Sequence, residues 1–283
     1  ASDVGATAAT IKKSGATVVI NCAEGDWNLN ILKASMKANA SCIDLGSEIW
    51  MTKEQFKLDS QLKKQGIVSI TGCGSVPGIG NVMLRFAAEK FDRLESVEVG
   101  FSWDSNIKKF VVPFSIQSII EEFSDPAPIV ERKHFLNKIP LNSIIEDYHR
   151  KIGKQKEFFV RHPETYTFYE HYKNKGLKNV KFYAGFPQHS FEKIVALIEL
   201  GLGSKDPIDF NGTKIVPVEF LTEVLKRLKV PKGYLEKENL WVKVHGTKNG
   251  EKKNILMECI VPTLKGWESS GCNIDTGMPA SIM

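Results

Sequence analysis

The sequence predicts an α/β chain: a parallel sheet built from βαβ units, followed by an α+β region around a mixed or antiparallel sheet. Three observations predict it. Short β-branched runs alternate with helical stretches up to about Leu94. Beyond that point strands and helices no longer alternate strictly. Late in the chain, Asn249-Gly250 separates two long strand-like stretches, a strong hairpin signal.

In order, Thr17–Asn21 is an unbroken β-branched run, expected to form a strand buried on both faces. Leu29, Leu32 and Met36 follow at helical spacing, and Ser41–Leu45 reads as a second buried strand. Thr52 and Gln55 form a capping-box pattern that opens a helix through Phe56 and Leu62, with Gly66 just past its end. Val68–Thr71 is the third strand, and right-handed crossovers make the sheet parallel. Then "SVEVGFSW" alternates like a half-exposed strand, and Ser115–Phe123 reads as a short helix with a serine cap. Phe191, Ile194, Val195 and Ile198 mark an amphipathic helix ended by Gly201. Pro217 opens another, with Phe220, Leu221, Val224 and Leu225 on one face. Pro279 is placed to open a last short helix at the C-terminus.

The 283 residues leave room for two domains. No apolar run approaches the roughly 20 residues that span a bilayer, and the N-terminus has no signal-peptide pattern. A formal charge of +5 suits anionic small molecules and is too weak to argue for nucleic acid. The five cysteines include no Cys-x-x-Cys pair, which points to a reducing compartment without disulfides or zinc. Cys22 and Cys42 fall in apolar runs, where cysteine acts as a small hydrophobe. A cytoplasmic location follows as the expectation, and the two glycosylation sequons, at Asn39 and Asn211, are then chance matches.

The stretch "SITGCGSVPGIGN", from Ser69 to Asn81, carries Gly72, Gly74 and Gly78 between a strand and a helix. One reading is a nucleotide-phosphate loop. The other is a tight strand-to-helix turn that needs glycine for its backbone. The spacing is not Gly-x-Gly-x-x-Gly, and no acidic residue ends a strand about 20 residues further on, as dinucleotide sites require. No first strand, Gly-rich turn and helix precede Thr17, so the sheet is expected to be part of something longer.

"GCGSVPGIGN", preceded by "VVINCAEG" and "SCIDLGSE", resembles the saccharopine dehydrogenase-like family of NAD(P)-dependent oxidoreductases. "PFSIQSIIEEFSDPAPIV", "GFPQHSFEKIVALIELGL" and "DTGMPASI" follow in the family's order, so the resemblance covers nearly the whole chain. Val76 stands where saccharopine-forming members usually have Asp, which places the chain nearest the lysine 6-dehydrogenase-like branch. The resemblance implies the second half of a Rossmann dinucleotide-binding domain over residues 1–94, thus a partial Rossmann-type parallel sheet. It implies a substrate-binding and dimerisation α+β domain over 95–271 and a return segment over 272–283. The glycine loop then becomes a wall of the interdomain cleft near the nicotinamide.

The resemblance further implies NAD or NADP as cofactor and hydride transfer at a C–N bond of an amino acid such as lysine or saccharopine. Cys22, Ala23 and Glu24 would line the dinucleotide after one strand, Ser47 and Glu48 after the next, and Cys73, Gly74 and Ser75 after the third. The family's Gly-Gly-Leu-Pro is "GFSWDS" here, and its Arg-Tyr-Pro-Gly-His is Phe182-Tyr183-Ala184-Gly185-Phe186. Tyr183 keeps its place, with Lys181 or His189 left to supply the catalytic proton-handling or carboxylate-binding group. Those losses also favour an alternative, a non-catalytic relative that binds a ligand or a protein. Residues 148–182 interleave lysines and arginines with aromatics, as a nucleic-acid platform does. A solvated basic face over an aromatic core gives the same pattern. His149, His162 and His171 do not share a helical turn, so no metal site is expected. The expected partners are an amino-acid substrate and a second copy of the chain, with neither nucleic acid nor membrane.

Overall fold

The computed structural model describes residues 1–46, 48–112 and 115–283. Helix α1 (Val4–Ser14) is capped by Asp3, whose carboxylate accepts from the amides of Gly5 and Ala6 at 2.7 and 2.9 Å. Strand β1 (Val18–Asn21), helix α2 (Asn28–Ala38), strand β2 (Ser41–Asp44), helices α3 (Ile49–Phe56) and α4 (Asp59–Gln65), and strand β3 (Ser69–Ile70) follow. The three strands form a parallel sheet in the order β1-β2-β3.

Several local expectations change here. Helix α1 carries little apolar periodicity in its alanines and threonines, so no sequence signal announces it. Strand β1 is buried on one face only: Val19 packs with Ala8, Ile11 and Ala34, whereas Val18 and Ile20 are 50% and 49% exposed. Cys22 lies just past the strand and is exposed, so it is no core residue. Thr52 does not cap a helix. It sits inside α3, which starts at Ile49, and its hydroxyl donates back to the Glu48 carbonyl. Gly66, in the left-handed region at φ 67°, ends α4 as expected.

Helix α5 (Ile79–Ala88) leads to the long strand β4 (Arg93–Ser105), helix α6 (Ile116–Ser124), strands β5 (Ala127–Glu131), β6 (His134–Lys138), β7 (Ile145–His149) and β8 (Gly153–Phe159), and helix α7 (Glu164–Tyr172). Strand β9 (Asn179–Phe186), helix α8 (Gln188–Glu199), the small hairpin β10 (Ile208–Phe210) and β11 (Thr213–Ile215), helix α9 (Pro217–Leu225), strands β12 (Glu236–Lys248) and β13 (Glu251–Pro262), and helix α10 (Ile274–Ile282) complete the chain. Eight strands form one mixed sheet, in the order β13-β12-β4-β9-β5-β6 with β8 and β7 continuing from β9. Strands β4 and β9 are parallel, and the other pairs antiparallel. Ser115 caps α6, Pro217 opens α9, and Asn249-Gly250 turns the β12–β13 hairpin with both residues at positive φ. Pro279 does not open the last helix. It lies inside α10, which starts at Ile274.

Period-two alternation gives the mixed sheet two unlike faces. Val97, Val99 and Phe101 of β4, Val180, Phe182 and Phe186 of β9, and Leu240, Val242 and Val244 of β12 share one face. There they form the main core with Leu84, Ile119, Phe123, Phe168, Phe191 and Leu221 from the covering helices. Phe158 and Phe182 are fully buried, and rings such as Phe123 and Phe158 meet at 4.4 Å between centroids. The opposite face carries Ser102, Tyr183, Trp241 and Lys243.

Candidate active site

The loops at the carboxyl ends of β1, β2 and β3 are tied into one wall. Asn21 donates to Asn28 at 2.7 Å, and Asn28 donates to the Gly46 carbonyl at 3.0 Å. Asp44, 1% exposed, ends β2. One of its oxygens accepts from the Gly46 and Gly72 amides at 2.9 and 3.0 Å, the other from the Gln55 side chain at 2.7 Å. The glycine loop wraps Pro77. A Cβ on Gly46 or Gly72 would lie 2.5 or 2.7 Å from the proline ring, and one on Gly78, at φ 139°, would lie 1.9 Å from the Gly74 carbonyl oxygen. Tight packing therefore accounts for the glycines.

Facing this wall are α6 and the Arg161–Pro163 segment between β8 and α7. Together they enclose a cleft of about 510 Å³, lined by Glu24, Asp26, Gly46, Glu48, Pro77, Ser118, Glu121, Glu122, Arg161 and His162 among others. An inner chamber of about 230 Å³ shares Val76, Ser118, Glu122 and His162 with it. The chamber reaches Ser75, Trp103, Glu236, Glu238, Asp275 and Thr276. Helix α10 closes that end, with Thr276 donating to Ser75 at 3.4 Å.

Carboxyl groups dominate the lining. Arg161 is taken up by Glu48, with bonds of 2.7 and 3.1 Å, and by Asp125 at 3.2 Å. The Nδ1 of His162 lies 2.5 Å from the fully buried Glu164 carboxylate, and its ring stacks on Phe182 with centroids 4.0 Å apart. Burial alone would lower the His162 pKa. The Glu164 charge and hydrogen bond, helped by Glu122 and Glu48, outweigh burial and raise it above the ordinary value. Burial pushes the Glu122 carboxyl up to about 8, and its Oε2 has no hydrogen-bond partner among the described residues. Burial raises Glu48 as well, against the pull of Arg161. A titratable ring held by a carboxylate beside a carboxyl tuned toward neutrality is an arrangement that moves protons.

Of the expected cofactor residues, Glu24 and Glu48 line the outer cleft and Ser75 the inner chamber. Cys73 is buried behind the loop, its amide donating to the Asp44 carbonyl at 2.7 Å, and the Gly74 amide donates to the Pro77 carbonyl at 2.8 Å. Cys22 and Ala23 are exposed at the end of β1, outside the lining, and Ser47 falls outside the described residues. The three expected catalytic residues do not line the cleft. Lys181 and Tyr183 are on the other face of β9, Tyr183 against Phe159 and Trp241. His189 is bonded to the Lys109 carbonyl at 3.1 Å, beside Lys108 and Gln188. Also on that other face, ligating atoms of Asp147, His149 and Glu157 lie within 4.8 Å of one another. They are engaged in pairs, Asp147 with Lys243 and Glu157 with His149 and Ser102.

His162, Glu164, Glu122, Glu238 and Asp275 were missed. His162 and Glu122 lie within stretches that read as a basic face over an aromatic core and as a short serine-capped helix. Glu238 and Asp275 sit on elements far apart in sequence, and nothing local announces their meeting.

The chain is similar to carboxynorspermidine synthase of Vibrio alginolyticus, 23% identical over 272 residues that cover 91% of this chain and 65% of that protein. It is similar to carboxyaminopropylagmatine dehydrogenase of a Synechocystis species, 22% identical over 288 residues, 98% of this chain and 72% of that protein. The structure of saccharopine dehydrogenase (L-Glu forming) from Saccharomyces cerevisiae superposes with a TM-score of 0.75 at 12% identity, covering 99% of this chain and 78% of that one. That likeness fixes the fold. The family model of the saccharopine dehydrogenase C-terminal domain matches residues 59–283, and the chain belongs to that family.

Proposed function

We propose that this chain carries the substrate cleft of an NAD(P)-dependent oxidoreductase acting on a CH–NH bond of a cation-rich amine, rather than on lysine or saccharopine. The observation that carries the reading is the carboxyl-lined cleft, in which Arg161 is consumed by Glu48 and Asp125. A substrate bearing several carboxylates would meet repulsion there, whereas an oligoamine would meet counter-charge. The names of the two curated relatives, a carboxynorspermidine synthase and a carboxyaminopropylagmatine dehydrogenase, agree with that substrate class.

A nicotinamide fits the wall made by the loops after β1 to β3, where ligands of open α/β sheets bind. Glu24, Gly46 and Pro77 would lie along it, held in place by the glycine turn packed on Pro77. Hydride transfer is the chemistry NAD or NADP supplies when bound. The protein's own residues do the rest. In the oxidative direction the substrate ammonium must lose a proton before its C–H bond gives up a hydride and becomes an iminium. His162, held by Glu164, takes that proton, and Glu122 faces the same space. A homodimer is part of the proposal, supported by the resemblance and by β13 standing at the sheet edge with Leu256 half exposed. Light scattering at micromolar concentration tests it.

The test of the activity follows NAD(P)H absorbance with the full-length protein and each nicotinamide. Carboxylated oligoamines, lysine and saccharopine are offered in parallel. Turnover is expected with the oligoamines, and His162→Gln should lower kcat at least about 100-fold. Turnover with saccharopine alone overturns the substrate class. Failure to bind either nicotinamide favours the non-catalytic relative.

A further inference from the structure

The inner chamber is more specific than the outer cleft. Among the described residues its lining holds four carboxyl groups, from Glu122, Glu236, Glu238 and Asp275, and no lysine or arginine. Asp275 is 6% exposed, and its Oδ2 has no hydrogen-bond donor among the described residues. Glu236 accepts from the Cys272 amide at 3.2 Å, which fixes it against the chamber wall. Trp103, 4% exposed, supplies an aromatic wall opposite Glu238, its cross-strand neighbour on β12. Burial and the Asp275 charge raise Glu238 well above the usual carboxylate range. Burial takes Asp275 to about 6, against the hydrogen bonds from Thr276 and from the Glu238 carboxyl. Four acids grouped around the single imidazole of His162, with no lysine or arginine among the described lining residues, are a costly arrangement in an empty protein. A ligand cation relieves the cost. An alkylammonium brings up to three N–H donors for the carboxylates and a charge for the indole face.

We propose that Glu236, Glu238 and Asp275, with Trp103, form a seat for the distal primary ammonium of a linear amine substrate. The proposal rests on the oxidoreductase reading for its biological use, and on the chamber alone for its binding. His162 and Glu122 line both spaces. A linear chain anchored by its far end in the seat therefore passes them, and its reacting nitrogen reaches His162. The seat measures the substrate: an amine with a methyl or hydroxyl at that end loses the anchor.

Calorimetry on the full-length protein tests this without turnover, using 1,3-diaminopropane, 1,4-diaminobutane and 1,5-diaminopentane against amino alcohols of matching length. One diamine should bind at least about tenfold more tightly than its amino alcohol, the worth of a charge-assisted hydrogen bond. Glu238→Gln and Asp275→Asn should each erase that preference, with circular dichroism confirming that both variants fold. Equal affinity for diamine and amino alcohol in the wild-type protein overturns the seat, as does a preference that survives both substitutions or no diamine binding at millimolar concentration. Diamine binding sensitive to both substitutions, without NAD(P)H turnover on any substrate, upholds the seat and overturns the oxidoreductase reading. Turnover on oligoamines indifferent to both substitutions does the reverse.

Discussion

His162 and Glu164 are two residues apart in sequence and 2.5 Å apart in space, with Phe182 stacked beneath the imidazole at 4.0 Å. Pro163 between them is the N-cap of α7, and the first helical turn carries Glu164 back toward the ring. The bond occupies Nδ1 and leaves Nε2 as the nitrogen that exchanges protons with a ligand.

That relationship sets the pH dependence of activity. As a base in amine oxidation, His162 must be neutral, so kcat should rise with pH through a limb above 6.5, the ordinary imidazole value from which the Glu164 charge raises it. Glu164→Gln removes that charge. The limb should move to lower pH, and kcat on the alkaline plateau should fall about 10-fold or more from lost orientation. A profile that keeps its limb in the variant removes Glu164 from the role of positioning residue.

Glu122 links pH to stability with the opposite consequence from a salt-bridged carboxylate. Its pKa is raised to about 8 in the folded protein against 4.5 for the free side chain. Between those values the folded state holds a proton the unfolded state has lost, so stability falls as pH rises through the window. Glu122→Gln cannot ionise. Its melting temperature should exceed that of the wild-type protein at pH 9, and the two should converge at pH 4. Equal melting temperatures at pH 9 would place Glu122 in contact with water.

The glycine turn makes a purely steric prediction. Gly78 has φ 139°, and a Cβ there would sit 1.9 Å from the Gly74 carbonyl oxygen. Gly78→Ala should cost ~2–5 kcal/mol, from a backbone region closed to L-residues and from the clash, read as a lowered denaturation midpoint. Gly212→Ala also falls at positive φ, 80°, but with open space around it, and should cost no more than about 1–2 kcal/mol. Similar losses at both sites would contradict the close packing of Gly78 on Gly74.

How far the sequence reads correctly depends on how local the signal is. The parallel strands, the Ser115 cap, the Pro217 helix start and the Asn249-Gly250 hairpin are each carried by a few adjacent residues, and each is found where expected. Thr52 misled because a threonine bonded to the carbonyl four residues back writes the same letters as a cap. Val18 and Ile20 misled because β-branching reports strand preference, whereas burial depends on what covers each face. The cleft was half legible. Glu24, Glu48 and Ser75 come from the family resemblance that the strand-end loops carry, but the opposite wall gathers α6, β12, α10 and the residues before α7 across more than 150 positions.

Tyr183 separates position in a motif from position in space. Side chains alternate along β9, so Phe182 and Ala184 face the core below the cleft while Tyr183 faces Phe159, at 4.8 Å between centroids, and Trp241, at 5.9 Å. Its hydroxyl is pushed far above the ordinary value by burial and by Glu98, Glu157 and Asp147, so it stays protonated at any working pH. Such a group packs a sheet face and exchanges no proton with a ligand in the cleft. Tyr183→Phe should therefore leave kcat and KM within about twofold, whereas His162→Gln falls by two orders of magnitude. Stability should shift by about 1 kcal/mol or less, since the ring is retained. A loss of kcat in Tyr183→Phe that matches His162→Gln would return the catalytic role to β9 and move the active site to the opposite face of the sheet.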